Sequence, residues 1–167
     1  MKELIFVTGF FGAPIMETAR DISARKGWEV LDLDKAIEED DGRSIARLCM
    51  MGGEHAYRNA EYEQVEALCR NAEESSDSEG GLVIACGDGI LYDDDSRALI
   101  LKHELVIAGE DMSMDALWQR ALQDETSYHA FMKFGTEEEK RAKFEAHHDR
   151  QQELFRQVRS SNTKGTE

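Results

Sequence analysis

The sequence predicts an α/β fold built on a central parallel sheet of four to five strands flanked by helices. Three observations predict it. Short apolar runs at Leu4 to Thr8, Trp28 to Leu33, Leu82 to Cys86 and Glu104 to Ala108 lack the alternation of a half-exposed strand, as expected of strands covered on both faces. Helical spacing separates them, with Ile15, Ala19 and Ile22 on one face of the first helix. Turn residues sit where strands end, at Gly9 and at Gly87-Asp88-Gly89, and the carboxyl ends of such strands are where open α/β sheets place ligands.

The first helix is expected from Pro14 to Lys26, ending near Gly27, with proline where its missing N–H costs nothing. Helical patterns follow from about Lys35 to Glu39, Ser44 to Met51 and Glu54 to Glu74, and the polar stretch 75–81 breaks them. Met114 to Leu122 and Thr136 to Val158 read as helices, 124–135 has no clear period and reads as a flap, and 160–167 reads as a frayed polar tail. No fifth apolar strand is visible, and the organisation is a single domain over 1–159. The acidic runs Glu38 to Asp41 and Asp93 to Asp95 read as solvated loops or helix ends.

Composition narrows the function. The 167 residues carry 20 Lys and Arg against 35 Asp and Glu, a formal charge of -15. Such a field repels a polyanion, so no nucleic-acid partner is expected. No apolar run approaches the ~18 residues of a membrane span, and the run from Met1 to Phe11 is too short for a signal peptide. Three widely spaced cysteines, Cys49, Cys69 and Cys86, fit reduced, buried thiols and a cytoplasmic setting. The histidines His55, His103, His129, His147 and His148 share no ligand spacing on one helix face, so no metal site is expected from them.

The segment Gly9-Phe10-Phe11-Gly12-Ala13-Pro14-Ile15-Met16-Glu17-Thr18 joins a buried strand to a helix, the context of a phosphate-binding loop. A working loop uses backbone N–H groups, a lysine and a hydroxyl on magnesium. Here Pro14 removes an N–H, Ile15 stands at the lysine position, Met16 follows it, and Glu17 puts a carboxylate at the helix N-terminus. Like charges about 4 Å apart cost roughly 4 kcal/mol at an effective dielectric near 20. That exceeds the ~0.3–1 kcal/mol a helix dipole returns to an anion. Glu17 is therefore expected to occupy the anion seat itself, and Thr18 offers a hydroxyl one position late. Read alone, Gly9, Gly12 and Pro14 equally describe an ordinary strand-to-helix turn.

Taken together, Gly9-Phe10-Phe11-Gly12-Ala13, Leu31-Asp32-Leu33-Asp34, Gly42-Arg43-Ser44-Ile45-Ala46, Gly53-Glu54-x-x-Tyr57-Arg58-x-x-Glu61 and Ile84-Ala85-Cys86-Gly87-Asp88-Gly89 resemble the shikimate kinase family in order and spacing. The resemblance covers roughly residues 3 to 124. It implies a three-layer P-loop kinase fold, a substrate-binding helical region at about 34–62 and a lid at about 124–135. It further implies ATP and magnesium as cofactors and the shikimate 3-hydroxyl as acceptor. By resemblance Asp34 would hold ring hydroxyls, Arg58 the ligand carboxylate, and Asp32 would be the metal-associated aspartate. Gly87 and Gly89 match the outer members of a glycine turn whose middle member is Asp88 here, and Arg120 matches an arginine over adenine. Asp32 and Asp34 read equally as helix caps, and Arg58 with Glu61 as an i, i+3 surface pair.

Departures fall mainly on the phosphate half. Ile15, Met16 and Glu17 replace the lysine and hydroxyl, Ser127-Tyr128 replaces the lid Arg-Pro, and Gln151 stands where a second substrate arginine is expected, with Arg150 adjacent. An arginine of the lid kind is worth ~10³–10⁵ in rate. The expectation is an impaired kinase homologue with no dependable cofactor, binding a small hydroxylated carboxylate such as shikimate or a protein partner. The alternative is a divergent active enzyme using Thr18, Asp32 and magnesium with Arg120 or Lys133 as the cation.

Overall fold

The computed structural model describes residues 1–76 and 80–164. Four parallel strands, β1 (Glu3–Gly9), β2 (Glu29–Asp32), β3 (Gly81–Ala85) and β4 (Glu104–Ala108), form one sheet in the order β2-β3-β1-β4. The helices are α1 (Ile15–Lys26), α2 (Leu33–Asp41), α3 (Ile45–Glu74), α4 (Asp94–Ile100), α5 (Met114–Gln123) and α6 (Glu137–Lys164). The register places Phe6 beside Ile84 and Leu105, and Val7 beside Ala85 and Val106. Successive β1 residues serve opposite faces: Leu4 and Phe6 join the larger core, Ile5 and Val7 a smaller one with Ala19, Ile22, Val83 and Ala85. Two covered faces are why the strand reads as an unbroken apolar run.

Connections from β1 and β3 leave in opposite directions along the sheet, so their carboxyl ends form the crevice where this architecture binds ligands. The ends are tied together by the Thr8 hydroxyl, which donates to the Gly87 carbonyl at 2.9 Å, and by Cys86 N–H to Val7 O at 2.8 Å.

The two helices expected on either side of Gly52-Gly53 are both present within α3, which breaks at Gly53, where φ of 76° and ψ of 176° interrupt the helical turn. Other boundaries differ from the sequence reading. α4 and the 3-10 turn Ile90–Tyr92 were not resolved by periodicity because both are short. Asp93 accepts from Ser96 N–H at 2.8 Å, so that acidic run is a helix start. The expected tail at 160–167 is corrected in part: α6 continues to Lys164, and 165–167 lie outside the described residues, as do 77–79 of the expected break. Among the described residues the sheet has four strands. Cys69 and Cys86 are buried and Cys49 half-buried, all three as free thiols.

One side chain fastens the last helix to the first loop. Gln151, 1% exposed, accepts from Phe11 N–H at 3.0 Å through Oε1 and donates through Nε2 to Asp88 Oδ2 at 2.9 Å and Asp88 O at 3.1 Å. Gln151→Leu keeps the volume but orphans a buried N–H and weakens a buried carboxylate, so we expect a loss of about 3 kcal/mol in urea unfolding. Gly12 has φ +94°, and a Cβ there would collide with the Leu117 carbonyl. Gly12→Ala should therefore cost about 1–3 kcal/mol by the same measurement, whereas Gly27→Ala, with open space around it, should cost only its backbone strain.

Candidate functional site

A cavity of about 790 Å³ opens at the carboxyl ends of β1, β2 and β3. The loop from Gly12 to Glu17 forms one wall, Asp32 and Asp34 a second, Ala85 to Asp88 the floor, and Arg120 with residues 123–127 the rim. Seven carboxylates line it against three cations, Arg20, Lys35 and Arg120.

On the loop side, Ile15 and Met16 are half-buried against the smaller core cluster that holds Ile5, Val7 and Val83. Pro14 stands at the cap of α1 with no side-chain cap bond, and the Thr18 hydroxyl donates to Pro14 O at 2.7 Å. Glu17 is corrected: its side chain is 62% exposed and faces the Arg120 guanidinium at 3.4 Å, so it turns to the rim rather than back into the loop. Exposure is what a carboxylate on an acidic cavity prefers. Arg120 also donates from Nε to Gly12 O at 2.7 Å. Lys133 is exposed and closes the 3-10 turn Ala130–Met132, away from the cavity lining.

On the facing wall, Asp32 caps α2, its Oδ1 accepting from Lys35 N–H at 3.2 Å. Asp34 lies two residues on, where the Tyr57 hydroxyl donates to Oδ1 at 2.5 Å. Burial pushes the Asp34 carboxyl up to about 6, against the lowering effect of Tyr57 and helped by Asp32 and Asp88. Arg58 is gripped from its inner side by the buried Glu61, Nη1 to Oε1 at 2.5 Å, and on its outer edge by the exposed Glu54 at 3.1 and 3.3 Å. Burial works against the Arg58 charge, yet Glu61 holds its pKa above the ordinary value. Burial also raises the Glu61 carboxyl, with Arg58 opposing.

The glycine turn explains its own composition. A Cβ on Gly87 would press on the Tyr57 hydroxyl at 2.8 Å, and one on Gly89 would meet the Arg58 guanidinium. Asp34, Gly87 and Asp88 thus share the cavity wall; Arg58 and Gly89 lie together just beyond it, and Arg150 is exposed elsewhere on α6.

The feature that the sequence reading missed is centred on Asp88. Its Oδ1 lies 2.9 Å from His129 Nε2 and its Oδ2 3.1 Å from His147 Nε2, with Gln151 on Oδ2 as well. Burial disfavours this charge, but His129 and His147 hold the Asp88 carboxyl well below the usual range. His129, for its part, resists burial and is raised by Asp88. The ring of His129 stacks on Phe11 at 3.8 Å. Helix-face spacing concealed this group because His129 comes from the segment between α5 and α6, His147 from α6 and Asp88 from the turn after β3. His129 and His147 share no helix face, as their spacing indicated, yet the fold brings both to Asp88.

Comparisons with known proteins give the same architecture. A family model described as shikimate kinase matches residues 17–166. The shikimate kinase of Salinibacter ruber is 34% identical over 122 residues, 73% of this chain and 55% of that protein. The shikimate kinase of Chlorobium limicola is 31% identical over 104 residues, 62% and 48% of the two chains. The chain therefore spans about half the length of these relatives. Among solved structures, shikimate kinase from Acinetobacter baumannii in complex with shikimate superposes with a TM-score of 0.76 at 22% identity, covering 95% of this chain and 80% of that one. Shikimate kinase from Bacteroides thetaiotaomicron gives 0.74 at 17% identity, covering 97% and 95%. At those identities the structures speak for the P-loop kinase fold, and the match along residues 17–166 settles the ancestry: the chain belongs to the shikimate kinase family.

Proposed function

We propose that this chain transfers phosphate inefficiently and serves as a binding or regulatory module that retains part of an acceptor site for a small hydroxylated carboxylate such as shikimate. The observation that carries this reading is Ile15: at the position where the loop needs an ammonium, an aliphatic side chain packs on the sheet. Without that cation, phosphates entering the cavity meet Glu17, Asp32, Asp34 and Glu38, and each close pair of like charges costs several kcal/mol outside bulk water.

The chain's residues do not fit ATP and magnesium well. Met16 offers no hydroxyl, the Thr18 hydroxyl is directed to Pro14 O, and Asp32 is engaged as a helix cap. Arg120, the nearest cation, already holds Gly12 O and faces Glu17. We derive no phosphoryl-transfer step through them.

The acceptor half supports binding. Glu61 holds Arg58 from the buried side, and only the exposed Glu54 occupies its outer edge. A ligand carboxylate can take the place of Glu54 in a bidentate pair while Glu61 keeps the guanidinium oriented. Asp34, fixed by Tyr57 on Oδ1, has Oδ2 toward the glycine turn and can accept a ligand hydroxyl.

Calorimetry with shikimate tests the reading: micromolar-to-millimolar binding that weakens more than tenfold in Asp34→Asn and in Arg58→Lys is expected, and absence of binding by shikimate and its hydroxylated relatives overturns it. A coupled assay with ATP, magnesium and shikimate should give turnover far below ~1 s⁻¹, the low end for kinases. Turnover above that value establishes the divergent-enzyme reading instead.

The Asp34 carboxyl also predicts a pH dependence. Its folded pKa of about 6 lies above the ordinary 3.8, so the folded state binds more protons and stability falls as pH rises between those values. The shift corresponds to on the order of 3 kcal/mol. Urea midpoints of Asp34→Asn should therefore fall less between pH 4 and about 6 than those of the parent chain.

A further inference from the structure

Asp88, His129 and His147 each offer one ligand atom, and the three atoms lie within 4.8 Å of one another. The two imidazoles meet different oxygens of the carboxylate, His129 Nε2 at 2.9 Å from Oδ1 and His147 Nε2 at 3.1 Å from Oδ2. A tetrahedron with bonds of about 2.0 Å, the geometry of zinc, has edges of roughly 3.3 Å, and a small rotation of the carboxylate with an inward shift of the His129 ring, carried by the segment between α5 and α6, brings one oxygen and both nitrogens to that spacing.

The surroundings are those of a built centre. The three side chains are 9% to 13% exposed. Phe11 stacks on His129, and Phe131 lies 5.5 and 5.6 Å from the two imidazoles. Gln151 is not itself a ligand, because its oxygen is committed to Phe11 N–H; its amide nitrogen instead donates to Asp88 and fixes the carboxylate. Metal carboxylates are commonly oriented by such outer donors.

We infer that Asp88, His129 and His147 bind one divalent ion of the zinc and cobalt class, with a fourth position open to water or a small ligand. Two imidazole nitrogens and one carboxylate oxygen suit these borderline ions, whereas magnesium and calcium require oxygen-rich shells. The ion would replace the two contacts to Asp88 by bonds and join the α5–α6 segment, α6 and the glycine turn at one point. Asp88 shares the cavity wall with Asp34, but none of the three ligands belongs to the Asp34 and Arg58 pair, so zinc retention measured without shikimate tests this inference apart from the acceptor reading.

The chain, stripped with a chelator, should retain one zinc per molecule after equilibrium dialysis against micromolar zinc. Cobalt should give visible absorption bands that zinc abolishes. His129→Gln, His147→Gln and the double variant, which keep hydrogen-bonding side chains at those positions, should weaken binding by at least about tenfold each, while His55→Gln should not. Thermal unfolding without metal reports whether each variant is folded, and His147→Gln provides a second route if His129→Gln is not. Failure to retain zinc, or retention unchanged in the folded double variant, overturns the inference and leaves the trio as a hydrogen-bonded buttress of Asp88.

Discussion

The fold closes around a buried carboxylate. Asp88 occupies the middle of a glycine turn at the end of a fully buried strand, where an unpaired ionised group costs several kcal/mol. Three donors from two other parts of the chain meet that demand, His129 from the connection after α5 and His147 and Gln151 from α6. The spacing of His147 and Gln151, one helical turn apart, puts both on the same face of α6. That face is also where Phe144, Phe155 and Val158 join the core, so satisfying the charge and burying the helix are one event. Removing Asp88 would leave Gln151 and two imidazoles facing an apolar pocket.

The same helix fixes the loop on the opposite side of the crevice. Gln151 occupies the Phe11 N–H, Arg120 the Gly12 carbonyl, and Phe10 and Phe11 insert into the core beside His148 and His129. A loop that must embrace a polyphosphate presents its N–H groups outward and keeps cations near them. Here one of those groups is spent inward, and the half-buried Ile15 and Met16 complete the smaller core. The loop has become part of the protein's own packing. The acidic cavity lining then opposes the several charges of a polyphosphate most strongly and neutral hydroxyl groups least.

Much of this was legible in the sequence, and the remainder was not for identifiable reasons. The strands could be read because each is covered on both faces and therefore uniformly apolar. The helix from Pro14 to Gly27 could be read because its start and stop are chemically marked. The cap made by Asp32 follows from local spacing and is found as such; the pairing of Arg58 with Glu61 is also found, but buried rather than on the surface, because Glu61 points into the core side of α3. The break at Gly53 could be read because two adjacent glycines interrupt the helical pattern there. The Asp88 group was invisible to periodicity because its partners are 41, 59 and 63 residues away. Gln151 was read as a lost arginine, when its value lies in being neutral and able both to donate and to accept. The usable signal was Asp88 itself: an acid placed in a buried turn requires donors, and the unassigned histidines and glutamine beyond residue 124 were the available ones.

The cluster and the cavity are mechanically linked through a short stretch of chain. Asp124 accepts from Thr126 N–H and Ser127 N–H at 2.8 and 3.0 Å, forming a turn whose residues line the rim. Two residues later His129 is anchored on Asp88 and Phe11. A turn braced by its own hydrogen bonds cannot move independently of an anchor so close in sequence. The rim and the Asp88 group are therefore joined through residues 124–129: His129 ties the cavity edge to one oxygen of the carboxylate, while His147 and Gln151 of α6 hold the other.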